Sequence, residues 1–187
     1  MRLVLASRRN ATLYAHWVTA SLRKAMPTSK DIGPATLSPE LVPDLPYLYV
    51  ARVMRDELGT WFKFRLMGSD LGDRLQQDGT GRMLLDLQIG GWEEEWRRNL
   101  VQTVQMKLPV VDESIIKTEA GYDLDIEHLA LPISEDGTTV DQIFGSIDFI
   151  GQTEADLQKM IPQLDWKKIT SVELAKRIII SNLRLQV

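Results

Sequence analysis

Trp92, Trp96, Leu100, Val104 and Leu108 step by four through WEEEWRRNLVQTVQMKL (92–108), and Pro109 follows directly. Residues four apart share a helix face, so the spacing predicts one helix with a single apolar stripe, ended by proline. Glu93 and Glu94 lie in its first turn, where the helix dipole favours acids, four residues before Arg97 and Arg98. Such a stripe must be covered by something. The surrounding segments are β-rich: YLYVARVM (47–54) and WFKFRLMG (61–68) precede the helix, and VVDESIIKT, YDLDIEHLALPI and QIFGSIDFI follow it. RDELGT, EAG and SEDGTTV supply turn chemistry between them. Two strands, a helix and three strands predict an α+β domain, with one five-stranded antiparallel sheet and the long helix laid across it.

The ends read differently. Tyr14, Trp17, Val18, Leu22 and Ala25 recur at three- and four-residue steps, predicting a helix over 11–26 with Asn10 as N-cap and Pro27 as its stop. MPTSKDIGPATLSPELVPDLP then carries five prolines, which forbid a continuous helix or ladder and predict an extended wrap with one turn near SPEL. After Gly151, TEAD (153–156) and TSVE (170–173) have the hydroxyl-to-acid spacing of capping boxes. They predict a helical tail that includes a helix over 171–183, although its triple isoleucine equally suits a strand. The chain divides accordingly into an N-terminal helix and wrap (1–46), a core (47–151) and a C-terminal helical extension (152–187).

Composition narrows the function. A net charge of −4 opposes generic nucleic-acid binding, and the basic residues available near the first helix are Arg8, Arg9, Arg23 and Lys24. With no cysteine, there is no disulfide, thiolate metal site or thiol nucleophile. The apolar run in MRLVLASRRN is too short for a signal-peptide core or a membrane span, so the expectation is a cytoplasmic protein without membrane attachment.

Four glycines punctuate FRLMGSDLGDRLQQDGTGR (64–82), but their spacing fits neither a dinucleotide fingerprint nor a Walker loop, and no lysine follows. Turn glycines are the simpler reading. Asp123, Asp125 and Glu127 share one strand face. Hard cations favour carboxylates, yet a regular strand lacks the turn and carbonyls of a calcium loop, so a solvated face is expected. His16 and His128 have no triad context and cannot alone hold zinc; structural or partner-contacting roles are expected. Asp112 and Glu113 are neighbours on a strand and face opposite ways. No catalytic or metal constellation emerges. Trp92 and Trp96 lie on the buried stripe, either as plain core or as lining for a cavity between helix and sheet.

The order of elements is that of a PAS domain. LYAHW, PTSKDIGP, FRLMGSDLG, TGR, LPVVDE, LALPIS and IFGSI, in that order, resemble a family of small bacterial single-PAS proteins, abundant in alphaproteobacteria and long described as a domain of unknown function. The resemblance spans about 8–151 and leaves the last 36 residues outside. It implies a five-stranded PAS sheet with the N-terminal helix outside it, often at a dimer interface, and a sensory or regulatory role without catalysis. One departure is Ser29, which stands where the family pattern P-x-R-x-D-I has arginine; the neighbouring Lys30 is only a partial substitute, since it lacks the bidentate fork. Known PAS cofactors test poorly against these residues. Cysteine-adduct flavin and thioester-linked chromophores need a cysteine, and haem held by a histidine of the long helix needs one in 91–108, which has none.

The expected module is therefore a homodimer through Tyr14, Trp17, Val18 and Leu22, signalling to an unidentified protein partner. A small-molecule ligand in its core would meet Phe64, Leu66, Trp92, Trp96, Leu100 and His128. Without a kinase or cyclase segment in the sequence, the signal is expected to leave through a protein surface. Two alternatives stay open: a small enzyme using the same cavity, with His128 as its titratable group, and a nucleic-acid-associated regulator.

Overall fold

The computed structural model describes residues 5–22, 24–33 and 36–181. Helix α1 (Arg8–Ala20) leads through the proline-rich segment and a 3₁₀ turn at Val42–Tyr47 into the hairpin of β1 (Leu48–Asp56) and β2 (Gly59–Met67). Then come α2 (Ser69–Leu75), a 3₁₀ turn at Leu84–Asp86, and the long helix α3 (Trp92–Met106). Strands β3 (Val110–Thr118), β4 (Asp123–Ile133) and β5 (Gln142–Phe149) follow, then α4 (Glu154–Met160) and β6 (Ile169–Ile179). The sheet has six strands in the order β2-β1-β5-β4-β3-β6, every neighbour antiparallel.

The sheet separates two apolar cores. On one side α3 lays Trp92, Trp96 and Leu100 against Tyr49, Phe64, Ile116 and Ile126; on the other, α1 lays Leu13, Trp17 and Val18 against Leu129, Leu131 and Phe144. The helix expected over 11–26 starts earlier and ends at Ala20. Ser7, not Asn10, is its N-cap, with Ser7 Oγ accepting from the Asn10 N–H at 3.0 Å. Asn10 instead faces the sheet and is fully buried.

The predicted helical tail is corrected by β6. Thr153 does close a capping box with Asp156 at the start of α4, but TSVE opens no helix: those residues pair with β3. A cap contributes about 1 kcal/mol. Pairing with nine positions of β3 gives an open sheet edge its partners, and Val172 packs against the core beside Ile116. The β-branched isoleucines suit that environment, and the sheet gains a sixth strand over the five expected. Positions 182 and 183 of the predicted helix lie outside the described residues.

A bulge in β2 overturns a second expectation. Val50 pairs with Leu66 while Ala51 pairs with Phe64, so Arg65 is the extra residue and the alternation slips by one. Met67 takes the inward place expected for Leu66, which points out and is 47% exposed.

The acidic face of β4 is only partly solvated. Asp123 is exposed, but Glu127 is fully buried under the N-terminus of α1. Its carboxylate accepts from the Ala6 N–H at 2.7 Å, the Ser7 N–H at 3.0 Å and the Asn10 side-chain amide at 2.9 Å. Asp148 on β5 accepts from Ser7 Oγ at 2.8 Å and pairs with Arg9 at 2.6 Å, while Ser146 Oγ donates to Asn10 Oδ1. The anions meet the unpaired N–H groups of a helix start, which is where they stabilise most.

Gly145 on β5 is fixed by close approach. A Cβ there would stand 2.3 Å from the Tyr49 ring and 2.7 Å from the Leu129 carbonyl oxygen. Tyr49 is fully buried and the carbonyl belongs to the sheet, so neither can yield cheaply. Gly145→Ala should lower stability by about 2–3 kcal/mol, read as a shift in the urea midpoint; an unchanged midpoint would mean that the Tyr49 ring is free to move.

Candidate functional site

Four elements bring polar and aromatic groups together between α3 and the sheet. Inward alternation on β1 supplies Tyr49, β2 supplies Phe64, β4 supplies His128, and the α3 stripe supplies Trp96. The Tyr49 hydroxyl and His128 Nε2 are 2.6 Å apart. Trp96 stands edge-on to Tyr49, Phe64 and His128 with ring centroids 5.2, 5.2 and 5.5 Å away, an arrangement that aromatic quadrupoles favour. Burial, with the Arg177 charge adding to it, holds the His128 imidazole down to about 3. Burial pushes the Tyr49 phenol up; the Trp96 indole N–H, nearby but outside hydrogen-bond geometry, pulls weakly the other way. Both groups are therefore neutral at physiological pH, and neither is poised to exchange a proton near pH 7.

A polar lane runs beside this cluster. Glu95, Asn99 and Thr103 step by four along α3 next to the apolar stripe. Arg177 on β6 donates from Nη2 to Glu95 at 2.9 Å and grips both oxygens of Asp112 on β3 side-on, from Nε at 2.7 Å and Nη2 at 2.5 Å. Asp112 holds that guanidinium in its charged form. Thr103 Oγ1 donates to the Asn99 carbonyl at 3.0 Å. Asn99 is fully buried, and among the described residues its side-chain oxygen and nitrogen have no hydrogen-bond partner; nor does Trp96 Nε1. Buried polar atoms without partners cost about 1–3 kcal/mol each, so three in adjoining turns of one helix call for a chemical reason.

The expected pocket residues divide. Phe64, Trp96 and His128 meet at Tyr49, and Leu100 is buried one turn after Trp96. Trp92 sits beside Trp96, with centroids 5.7 Å apart, and stacks on Trp166 at 5.8 Å, whose indole donates to the Arg74 carbonyl. Leu66 is on the opposite face of the sheet. Asn99, Thr103 and Arg177 escaped the sequence reading, and Asp112 was weighed there only against Glu113; the four-residue spacing of 95, 99 and 103 was the available signal. The helix face offered as a dimer surface is split too. Trp17 and Val18 are buried against their own sheet, the Trp17 indole donating to the Pro132 carbonyl at 2.8 Å. Tyr14 is half-buried, and Leu22, beyond the helix end, is 73% exposed.

The basic residues near α1 are largely neutralised. Arg9 pairs with Asp148 and Asp44, and Lys24 pairs with Asp31 at 2.5 Å; Arg23 lies outside the described residues. Lys30 is exposed. The glycine-punctuated segment forms α2 and the turns around it, with Gly81 at φ +80°. A concavity of about 190 Å³ opens at the edge of β2, lined by Trp61, Phe62, Met83, Leu84, Leu85, Asp86 and Arg97. Among the described residues no acids or histidines gather in the numbers that would hold a metal ion, and no helix is long and apolar enough to cross a membrane.

Among curated proteins none gives a significant sequence match. Two solved structures of Vibrio cholerae VqmA are similar in fold: a complex with ligand and DNA (12% identity, TM-score 0.43, covering 70% of this chain and 59% of that one) and a dimer in the absence of target DNA (11%, 0.43, 64% and 53%). An RNA-binding light-oxygen-voltage receptor is similar at 13% identity and a TM-score of 0.39, covering 63% of this chain and 34% of that one. The chain thus spans about half of the VqmA chains and a third of the receptor, and likenesses this distant lend no weight to a shared function. The sequence itself matches the PAS domain model over residues 5–148. This chain belongs to the PAS domain family.

Proposed function

We propose that this PAS domain is a non-catalytic regulatory module whose core holds a small neutral molecule and whose output leaves through protein contacts. The observation that carries the reading is the unpartnered amide of Asn99, fully buried beside the unpartnered Trp96 indole N–H. Together they offer donors and an acceptor to a compact molecule bearing a hydroxyl, carbonyl or amide. Neutral Tyr49 and His128 supply no charge to attract an ion. They also give no group titrating near neutral pH, which favours sensing over catalysis.

Strand alternation supports a route outward. His128 faces the aromatic core, and its neighbour Glu127 faces the N-terminus of α1. A shift of β4 prompted in the core would thus reach the helix on the far side of the sheet. Half-buried Tyr14 on α1 and exposed Leu22 just beyond its end are what this segment presents for pairing with a second copy.

Native mass spectrometry of freshly purified protein, repeated under denaturing conditions, tests this reading. Extra mass lost on denaturation is expected, and Asn99→Leu should abolish it while raising stability by about 1–2 kcal/mol, because an unpaired amide is replaced by an apolar group of similar size. No extra mass, together with a destabilised Asn99→Leu, would refute it.

A further inference from the structure

Among the described residues, the outer face of the β1–β2 hairpin carries two cations without any partner, Arg52 and Lys63, and a third without a counter-charge, Arg65, which donates to Gln142 Oε1 at 2.6 Å. Arg52 and Lys63 are direct cross-strand partners, both exposed, and like charges so placed repel. Among the described residues no carboxylate lies within ion-pair distance of either. The opposite flank of the same sheet face is built differently: Lys117 pairs with Glu173 at 2.9 Å and Lys176 with Glu113 at 3.0 Å. Helix α1 packs on β4 and β5, between these two flanks. Apolar groups frame the unpaired cations, with Val50 opposite Leu66 at one end and Met54 opposite Trp61 at the other. Leu66 and Met54 are 47% and 41% exposed. Around the strand edge, Trp61 also walls an apolar notch formed with Phe62, Leu84 and Leu85, with Asp86 and Arg97 at its rim, Arg97 being paired with Glu94 at 3.1 Å. This cationic, apolar patch sits on a chain whose net charge is −4.

We infer that this hairpin face docks an acidic amphipathic segment of a partner protein. Its carboxylates lie on Arg52 and Lys63, and its aliphatic side chains lie on Leu66, Met54 and the Trp61 notch. The inference rests on the reading that output leaves through protein contacts. It relieves the Arg52–Lys63 repulsion and covers the exposed apolar groups in one step. Nucleic acid fits this face less well. The Trp61 indole N–H donates to Asp56 at 2.9 Å, which sets a carboxylate beside the ring on which a base would stack, and the other framing residues are aliphatic.

The test is a titration of the full, ¹⁵N-labelled chain with three synthetic helical peptides of equal length, pairing leucine with glutamate, lysine or glutamine. The leucine–glutamate peptide alone should shift the amides of 50–54 and 61–66. Its binding should weaken about ten-fold in high salt and in Lys63→Glu. Lys63→Glu should also melt higher than the parent, because it replaces a like-charged pair with an opposite one, so lost binding cannot be ascribed to unfolding. Equal shifts from the leucine–lysine peptide, shifts centred elsewhere, or stronger shifts at these amides from oligo-dT or phosphatidylglycerol vesicles would overturn the inference. A core adduct in native mass spectrometry with a silent hairpin would overturn the docking surface and leave the regulatory reading standing.

Discussion

Glu127→Ala should lower stability by about 3–5 kcal/mol and release α1 from the sheet while the α3 side stays folded. The carboxylate is fully buried and accepts three hydrogen bonds, two of them from backbone N–H groups at the start of α1. Hydrogen bonds to a charged acceptor contribute about 1.5–3 kcal/mol each, and their removal strands buried donors that water cannot reach. Glu127→Gln keeps the shape but turns one acceptor into a donor facing other donors, so roughly half the loss is expected. Urea unfolding gives the size of the effect, and hydrogen exchange gives its place, with protection falling first across residues 8–20. A loss below about 1 kcal/mol would show that apolar packing of Trp17 and Val18 holds the helix without the network. The same variant breaks the proposed path from His128 through β4 to α1, so if the proposed core ligand binds, the helix should cease to respond to it.

Acid should destabilise the protein well before most carboxylates titrate. Burial holds folded His128 down to about 3, with Arg177 contributing, whereas the unfolded imidazole titrates near its ordinary 6.5. The folded value is the lower one, so below pH 6.5 the unfolded chain binds a proton that the folded chain refuses. Stability is complete above about 6.5 and falls between there and about 3, at up to about 1.4 kcal/mol per pH unit from this group. His16, lowered by burial, acts in the same direction. Asp31, held at about 2 chiefly by its hydrogen bond from Lys24, adds its own loss only in stronger acid. The double variant Tyr49→Phe with His128→Leu removes the titrating group without leaving the phenol unpaired. Chemical denaturation from about pH 7 to about 4.5 should show a shallower slope for the double variant, the difference isolating His128 because His16 is common to both. Parallel slopes would mean that the folded core admits the proton.

The long helix, both strands before it and the three after it were legible because each rests on local repetition. The step of four through Trp92, Trp96 and Leu100 or the alternation through Phe62 and Phe64 needs no knowledge of the rest of the chain. The order of those elements carried the PAS resemblance, and the family match over 5–148 agrees with it. The site was legible only in part. Trp96 and His128 announced themselves as an aromatic on a buried stripe and a histidine on an apolar strand face. Asn99 did not, because its burial depends on β3 and β4 arriving over that side of α3.

Three features were settled only in the tertiary structure. A one-residue bulge at Arg65 put Leu66 outside, since alternation predicts facing only while the register holds. TSVE could cap a helix or enter a strand, and the open edge of β3 chose the strand. Glu127 looked like one more acid on a wet face until α1 covered it and supplied the donors that pay for its burial. The sequence by itself determined which segments up to β5 are helix or strand and the order in which they come, because hydrogen bonding and side-chain periodicity are local. The tertiary structure alone decided which polar groups are buried together and which cations are left without partners, because desolvation and charge depend on neighbours far away in the chain.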